Sequence, residues 1–343
     1  MGFWVGKVVG KHQYEPATFT KWLMPKDVSG NDFNGLGRED VYRPPSHFHG
    51  PNWHPWKKVA NLFGMRAVFG RPGTIVSIMK HKFRETFLHV KIAEQKAEGT
   101  AESFSRDMKR DVLKSEYVEM IGITRMKSDY MFAGQDGITS PWVVVVALSM
   151  DYDELAKNLE GNFSATIKQV IGGYERTQHG AMVVANWIRR RGYYAKAYGG
   201  ASFIENEFHL AIPPAIDSGI GQLAKNGSMI SDVVGGNFRL STVVTDMPLV
   251  ADEPRNIGVD EFCMSCKKCT EDCPPGAISD KKQMVRGVER WYVNYDKCLP
   301  FITEHEGCAI CLSTCPWSRP GIAPSLSQKM LKKMARQKEQ MAS

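Results

Sequence analysis

Cysteine is absent from most of this 343-residue chain, and all eight cysteines lie between Cys263 and Cys315. This clustering argues against a disulfide framework distributed along the protein. Long apolar runs are also absent. The longest, Trp142 to Leu148, is far shorter than the ~20 apolar residues that a membrane helix needs. It predicts a buried strand, and the sequence predicts no membrane span.

The first residues, Met1 to Lys7, show neither a twin-arginine pair nor an apolar core of signal type. We therefore expect a cytoplasmic protein, and reduced thiols fit that compartment. The net charge of +7 is modest. Basic residues concentrate at Lys329 to Lys338, which we interpret as a solvated helical face rather than a docking patch. No basic stripe is interleaved with aromatic residues, so no nucleic-acid partner is predicted.

The cysteines form two runs with the spacing of ferredoxins. These runs are Cys263-x2-Cys266-x2-Cys269-x3-Cys273-Pro274 and Cys298-x9-Cys308-x2-Cys311-x3-Cys315-Pro316. The cysteine before the proline typically ligates the other of two clusters. The spacing therefore predicts two [4Fe-4S] clusters. The predicted ligands are Cys263, Cys266, Cys269 and Cys315 for cluster one, and Cys298, Cys308, Cys311 and Cys273 for cluster two.

Two other roles for the cysteines fit less well. Disulfides are typical of short secreted chains, and zinc sites usually pair cysteines as C-x2-C…C-x2-C. The longer gap after Cys298 departs from the strict ferredoxin pattern and predicts a loop from Leu299 to Gly307. Two clusters that exchange ligands lie close together, which suits the transfer of single electrons.

Composition divides the chain into four parts, residues 1–110, 111–253, 254–320 and 321–343. Up to about residue 75 the first part is rich in Gly, Pro, His and Trp, which predicts irregular structure that wraps over a pocket. A helical, charged stretch follows to about residue 120. The histidines near Arg43 to His49 are expected to pack and form hydrogen bonds rather than bind a metal. The third part holds the cysteines, and the fourth is a polar, basic tail.

The second part alternates apolar and amphipathic segments, which predicts an α/β core. One strand is predicted to begin at Gly122. Three more are predicted, over Trp142–Ser149, Tyr193–Ala197 and Arg239–Thr245. The predicted helices span Asp151–Leu159, Ala165–Arg191 and Pro213–Leu223. In the longest of these helices, four apolar residues share one face: Ala181, Val184, Ala185 and Ile188.

Three further segments precede the cysteine block in a characteristic order. They are Asn186-Trp-Ile-Arg-Arg-Arg-Gly-Tyr-Tyr-Ala, Ala211-Ile-Pro-Pro-Ala-Ile-Asp-Ser-Gly-Ile-Gly-Gln-Leu-Ala-Lys-Asn-Gly-Ser and Asn237-Phe-Arg-Leu-Ser-Thr-Val-Val-Thr-Asp-Met-Pro-Leu. Together with the cysteines, they resemble the cobalamin-dependent reductive dehalogenases over residues 112–320. The combination is specific, whereas no single segment is, and the first hundred residues match only loosely.

The resemblance implies a nitroreductase-like α/β (α+β) cobalamin-binding domain followed by a ferredoxin-like domain with two [4Fe-4S] clusters. It also implies cobalamin in its base-off form, with no lower ligand from the protein. The sequence agrees, since it has no Asp-x-His-x-x-Gly motif. The implied reaction is reductive: low-valent cobalt breaks a carbon–halogen bond, and a proton replaces the halide.

The resemblance also implies catalytic residues. Tyr174 matches the tyrosine that supplies the proton, and Lys225 matches a basic residue that stabilises the phenolate. Lysine at this position resembles the soluble, catabolic branch of the family, whose substrates tend to be halogenated phenols and hydroxybenzoates. Arg290 is the candidate for binding the oxyanion of such a substrate. Val170 stands where that branch has a serine, which is a departure from the phenol-specific pattern.

Contacts to the corrinoid are expected from backbone and small side chains, because glycine allows close approach. The expected contacts are Gly199, Gly200, Asn226, Gly227, Ser228 and Met229. The predicted function is reductive dehalogenation of an aromatic compound, with electrons from a separate ferredoxin, flavodoxin or reductase. Two alternatives stay open. One is a cobalamin and iron–sulfur reductase that cleaves an aryl ether or an epoxide, like epoxyqueuosine reductase. The other is a non-catalytic electron carrier or corrinoid activator.

Overall fold

The computed structural model of the chain describes residues 3–45, 54–69, 76, 89–199 and 209–342. Three residues singled out in the sequence lie outside these ranges. Gly200 is one of the expected corrinoid contacts, and His47 and His49 belong to the histidine-rich segment. The part of the charged stretch before residue 89 is also outside the described residues.

A four-stranded sheet forms the centre of the molecule. Its strands are β3 (Met120–Arg125), β4 (Trp142–Ser149), β5 (Ala195–Tyr198) and β8 (Phe238–Thr245). They lie in the order β3-β4-β8-β5, and each neighbouring pair is antiparallel. Because β4 and β8 occupy the middle, the β-branched residues of β4 are buried on both faces. This confirms the prediction made from the apolar run.

The two faces of the sheet belong to different cores. Val144 and Val146 pack into the first core, whereas Val143 and Val145 pack into the second. The alternation follows the two-residue period of a strand, so a register shift of one residue would exchange the two faces. Packing on both sides therefore fixes the register of β4.

The 27-residue helix α6 (Phe163–Arg189) closes the first core. The side chain of Asn162 caps it by accepting a hydrogen bond from the N–H of Ala165. The predicted apolar face is confirmed, since its four residues are fully buried: Ala181, Val184, Ala185 and Ile188. Tyr174 lies about midway along this helix, so the core that holds α6 in place also positions its phenol.

Shorter elements complete the central part. They are α4 (Ala101–Val112), α5 (Tyr152–Ala156), α7 (Ile212–Asp217), β6 (Gln222–Leu223) and β7 (Met229–Ile230), with 3-10 turns at Ser128–Tyr130 and Lys157–Glu160. The predicted helix over Pro213–Leu223 is too long. It ends at Asp217 because Gly219 takes a φ of +72°, and the chain then enters the β6–β7 hairpin.

The cysteine-rich part is made of short elements and one long terminal helix. They are α8 (Val259–Ser265), α9 (Lys268–Glu271), β9 (Gln283–Val285), β10 (Val288–Arg290), α10 (Tyr295–Glu304), α11 (Ile310–Ser313), a 3-10 turn at Pro316–Ser318 and α12 (Ile322–Ala342). Most of α12 is exposed, but Met330 is buried in the core beside Trp291 and Trp317. The first half of the basic tail is thus held against the cysteine-rich part by this core.

The prediction of a loop over Leu299–Gly307 is wrong for its first half. Helix α10 continues to Glu304 because Asn294 caps its start and Phe301 buries its apolar face. Only the residues after Glu304 leave the helix before Cys308.

The amino-terminal part packs against α10. Its elements are β1 (Lys7–Gly10), β2 (Gln13–Glu15), α1 (Thr18–Leu23), α2 (Gly30–Phe33) and α3 (Lys57–Phe69). The buried carboxylate of Glu304 accepts hydrogen bonds from the N–H groups of Gly6 and Ala17 and from the hydroxyl of Tyr14. Helix α3 is a regular element in a segment whose composition predicts irregular structure.

Candidate functional site

The eight cysteines form two sets of neighbouring thiols. The first set is Cys263, Cys266, Cys269 and Cys315, and the second is Cys273, Cys298, Cys308 and Cys311. Within each set the thiols lie close enough for the charge of one to raise the pKa of another. Cys315 joins the cysteines of the first run, and Cys273 joins those of the second. Cys311 also feels the charge of Cys269, so all these thiols are neighbours, and the assignment of ligands to two clusters stays a prediction.

Burial is the main reason why these thiols resist ionisation. It raises the pKa of Cys263 and Cys269 to about 12 and that of Cys315 to about 11. In the second set, burial likewise raises the pKa of Cys298 and Cys308 to about 12. Because thiolates are the species that bind iron, cluster binding at these sites releases protons.

The N–H of Ala277 donates a hydrogen bond of 3.3 Å to the thiol of Cys273, the kind of contact that tunes iron–sulfur clusters. Among the residues that the structure describes, no group of three or more His, Cys, Asp or Glu side chains is arranged to hold a metal ion.

A cavity of about 470 Å³ lies between the central sheet and the cysteine-rich part. All four thiols of the second set line it, whereas no thiol of the first set does. Helix α6 contributes Tyr174 to the wall, and β8 contributes Arg239. The same cavity therefore contacts a complete set of candidate cluster ligands and a proton-bearing side chain.

Arg239 is the cation beside Tyr174. Its guanidinium carbon lies 5.1 Å from the centroid of the Tyr174 ring, within the range of a cation–π contact. Its buried Nε has no hydrogen-bond partner among the described residues. Gly173 makes room for this arrangement, because a Cβ there would lie 2.9 Å from Cγ of Arg239. Because this Nε has almost no accessible surface, it is the rest of the Arg239 side chain that lines the cavity.

Lys225 lies elsewhere. Its ammonium donates a hydrogen bond of 2.8 Å to the backbone oxygen of Cys266 and lies 4.9 Å from the centroid of the Trp291 ring. It is only 1% exposed and does not line the cavity. The structure therefore brings Arg239 to Tyr174, and it brings Lys225 to the first thiol set.

The other expected site residues divide into two groups. Four expected corrinoid contacts line the cavity, all in or beside the β6–β7 turn: Asn226, Gly227, Ser228 and Met229. Gly199 and Arg290 do not line it. A Cβ at Gly199 would collide with the side chain of Gln178. Arg290 ends β10, where burial lowers its pKa.

Arg239 is the site residue that sequence reasoning missed. The apolar and β-branched residues after it led us to interpret Arg239–Thr245 only as a strand. A signal was present nonetheless, because a charged side chain in a central strand needs a functional or structural partner. The strand also lies within one of the segments that carry the family resemblance.

The cavity fits the corrinoid that the resemblance implies. Its wall at the β6–β7 turn consists of backbone and small side chains, as a large flat ring requires. Gly227 has a φ of +74°, and a Cβ there would approach Val293 to 3.1 Å. Arg239 adds a positive charge at another part of the wall.

Within the described ranges, none of the helices is both long enough and apolar enough to cross a membrane.

The cysteine-rich part matches a family of iron–sulfur proteins. Residues 262–319 match the family described as "4Fe-4S dicluster domain". Together with the two thiol sets and the central sheet, this match defines the class of the protein. It is an iron–sulfur protein in which a ferredoxin-type domain follows a mixed α and β domain.

Curated relatives define the protein more closely. The tetrachloroethene reductive dehalogenase of Dehalobacter restrictus is 30% identical over 215 residues, which is 59% of this chain and 37% of that protein. The epoxyqueuosine reductase of Atelocyanobacterium thalassa is 26% identical over 151 residues, which is 39% of this chain and 44% of that protein. The chain thus spans less than half the length of these two relatives.

A solved structure shows the same fold. A catabolic reductive dehalogenase in complex with 3-bromo-4-hydroxybenzoic acid superposes with a TM-score of 0.65 at 22% identity, covering 87% of this chain and 45% of that one. The chain is therefore a relative of the reductive dehalogenases in sequence and shares their fold. This confirms the family resemblance and the fold class inferred from the sequence.

Proposed function

We propose that this protein is a reductive dehalogenase that removes halide from a halogenated aromatic compound, using base-off cobalamin and two [4Fe-4S] clusters. The observation that carries the proposal is the shared cavity. Its wall contains all four thiols of the second set together with the Tyr174–Arg239 pair. Electrons and a proton can thus reach one cavity, as a reductive replacement of halogen requires. The clusters also favour a reducing compartment such as the cytoplasm.

The two thiol sets give the electron path a direction. Only the second set lines the cavity, so the cluster held by Cys273, Cys298, Cys308 and Cys311 delivers the electron. The first set lies farther from the cavity and accepts electrons from a separate donor protein. Because the two sets exchange one cysteine each, they are neighbours, and single electrons can pass between them.

Tyr174 and Arg239 together supply the proton for the reaction. The hydroxyl of Tyr174 donates its proton to the carbon that loses the halogen, which is general acid catalysis. The guanidinium of Arg239 stabilises the phenolate that remains. The turn from Asn226 to Met229 holds the corrinoid through backbone and small side chains. When bound, the corrinoid supplies the low-valent cobalt that breaks the carbon–halogen bond.

An aromatic substrate is supported by the resemblance to the catabolic branch. The structural neighbour that superposes over most of the chain is described in complex with a brominated hydroxybenzoic acid. The curated relative named above is instead a tetrachloroethene enzyme. Lys225 and Arg290 do not line the cavity, so neither is given a role on the substrate here.

A second candidate function keeps the cofactors and changes the bond. The similarity to an epoxyqueuosine reductase favours reductive opening of an epoxide or cleavage of an ether. That similarity is weaker in identity and covers less of the chain than the similarity to the dehalogenase. A simple electron carrier is disfavoured, since it has no need of a cavity that joins thiols to a half-buried tyrosine.

Halide release tests the proposal directly. The protein, loaded with iron, sulfide and cobalamin without oxygen, is given a chemical reductant and a panel of halogenated phenols, hydroxybenzoates and chlorinated ethenes. We expect free halide and the dehalogenated phenol. Turnover of an epoxide or aryl ether without halide release from any compound would instead support the second function. Failure to take up cobalamin would contradict both.

The variant Tyr174→Phe tests the proton donor. We expect it to keep the corrinoid spectrum and the full iron content but to lose turnover by about 100-fold, because only the hydroxyl is removed. Tyr194→Phe is the matched control, since Tyr194 is 41% exposed and does not line the cavity. Equal rates for the wild type and Tyr174→Phe would overturn the assignment.

A further inference from the structure

We propose that the buried ammonium of Lys225 raises the reduction potential of the cluster held by Cys263, Cys266, Cys269 and Cys315. The inference rests on the clusters of the proposed function and on no property of the substrate. The proposed function assigns no role to Lys225, and this inference gives it one. The argument depends on where the charge lies, on what surrounds it and on which thiols it reaches.

The β6–β7 turn places Lys225 between the two thiol sets. Lys225 bonds to the backbone oxygen of Cys266 in the first set, while the next residue, Asn226, donates a hydrogen bond of 3.0 Å to the backbone oxygen of Cys311 in the second. Adjacent residues thus contact the two sites. Residues Gly227 to Met229 then continue into the cavity wall.

The charge of Lys225 has no acidic partner. The described residues offer it one hydrogen bond, to a neutral carbonyl, and the face of the Trp291 ring. The carboxylate of Asp260 bonds to the indole N–H of the same ring. It accepts hydrogen bonds of 2.7 Å from Trp291 and from Lys282, and it is thus already paired. A buried cation is costly unless something negative compensates it. An anionic cluster would provide that compensation.

The charge of Lys225 lies against the first thiol set, because its ammonium bonds to the backbone oxygen of Cys266 at 2.8 Å. A one-electron reduction adds a further negative charge to the cluster, so a fixed cation in a low-dielectric site stabilises the reduced form.

A purely structural role is the competing explanation. Lys225 would then only tie the β6–β7 turn to Cys266. The two roles differ in what they predict for redox chemistry. An anchoring residue affects stability and iron content, whereas an electrostatic residue shifts the potential of one cluster and leaves the other unchanged.

The test is a redox titration of the cluster-loaded protein, followed by electron paramagnetic resonance. The variants are Lys225→Met, which removes both charge and hydrogen bond, Lys225→Gln, which keeps a donor, and Lys225→Arg, which keeps the charge. We expect both neutral variants to lower the ratio of reduced to oxidised first cluster about tenfold at a fixed ambient potential, which is ~59 mV for a one-electron couple. Lys225→Arg should remain close to wild type.

Lys282→Met is the matched control. Lys282 lies 5.6 Å from the same Trp291 ring, but it is partly exposed and paired with Asp260 at 2.7 Å. Its removal should shift the ratio far less. A wild-type potential in both neutral variants would overturn the proposal, as would an arginine variant that behaves like the neutral ones.

Iron analysis makes the remaining outcomes informative. Loss of the first cluster from both neutral variants but not from Lys225→Arg would support a requirement for the charge. Loss from all three would show a requirement for the shape of lysine and overturn the proposal. The readout needs no substrate, so a protein without dehalogenase activity would refute the proposed function while leaving this inference open to the same titration.

Discussion

At the scale of single residues, Tyr174 and Arg239 illustrate what one sequence can and cannot predict. The resemblance singled out Tyr174, and helix α6 carries it to the cavity wall. The cation beside it was sought at Lys225, but the structure brings Arg239 there from β8. Local motif spacing does not report which strand of a sheet passes under which turn of a helix. That pairing depends on long-range packing, which the single sequence leaves undetermined.

The variant Arg239→Met should lower turnover by about 100-fold, because it removes the charge that stabilises the phenolate of Tyr174. Arg239→Lys should retain part of the activity, since it keeps the cation. Halide release at saturating substrate is the measurement, with corrinoid and iron content as checks. The matched control is Arg176→Met on α6, the helix that carries Tyr174. The exposed guanidinium of Arg176 bonds to the backbone oxygen of Ser149. Equal losses at both positions would contradict the role of Arg239.

At the scale of elements, the cysteine spacing predicted a ferredoxin-like domain, and the family match over residues 262–319 confirms it. Which thiols share a cluster stays a prediction of that spacing. The interval between Cys298 and Cys308 was harder, since the sequence predicted a loop where α10 continues to Glu304. The apolar face of α10 packs against the amino-terminal part. The residues near α10 in the sequence do not indicate that this distant segment covers it.

The crossed arrangement predicts which cysteine variants behave alike. Cys273→Ala and Cys311→Ala should each lose the second cluster and retain the first, so iron falls from about eight to about four atoms per chain. Cys269→Ala, four residues before Cys273, should instead lose the first. The spectrum of the remaining cluster distinguishes the two outcomes. If Cys273→Ala matched Cys269→Ala, the chain would not cross between the sets.

At the scale of the whole molecule, a buried carboxylate is one of several groups that join the amino-terminal part to the cysteine-rich part. Glu304 is 5% exposed and accepts hydrogen bonds of 3.0 Å from Ala17 and 2.5 Å from Tyr14. Burial and the neighbouring carboxylate together raise the pKa of Tyr14. The phenol therefore stays a donor at neutral pH. Composition alone predicted a wrapping segment but could not identify its anchor, nearly 300 residues away.

The variant Glu304→Ala should lower the free energy of unfolding by about 3 kcal/mol, because it leaves buried donors without an acceptor. Limited trypsin digestion should then cut faster near Lys11 and Lys21. Glu15→Ala is the matched control in the same segment. Its exposed ion pair with Lys7 should contribute little. Unchanged digestion of Glu304→Ala would show that the segment is held by its apolar contacts instead.

The contact between Ala17 and Glu304 spans 287 residues, and this separation constrains biosynthesis. Ala17 cannot pack onto α10 until Glu304 has been synthesised and has left the ribosome. During that interval, the side of α10 that bonds to Tyr14 and Ala17 is uncovered.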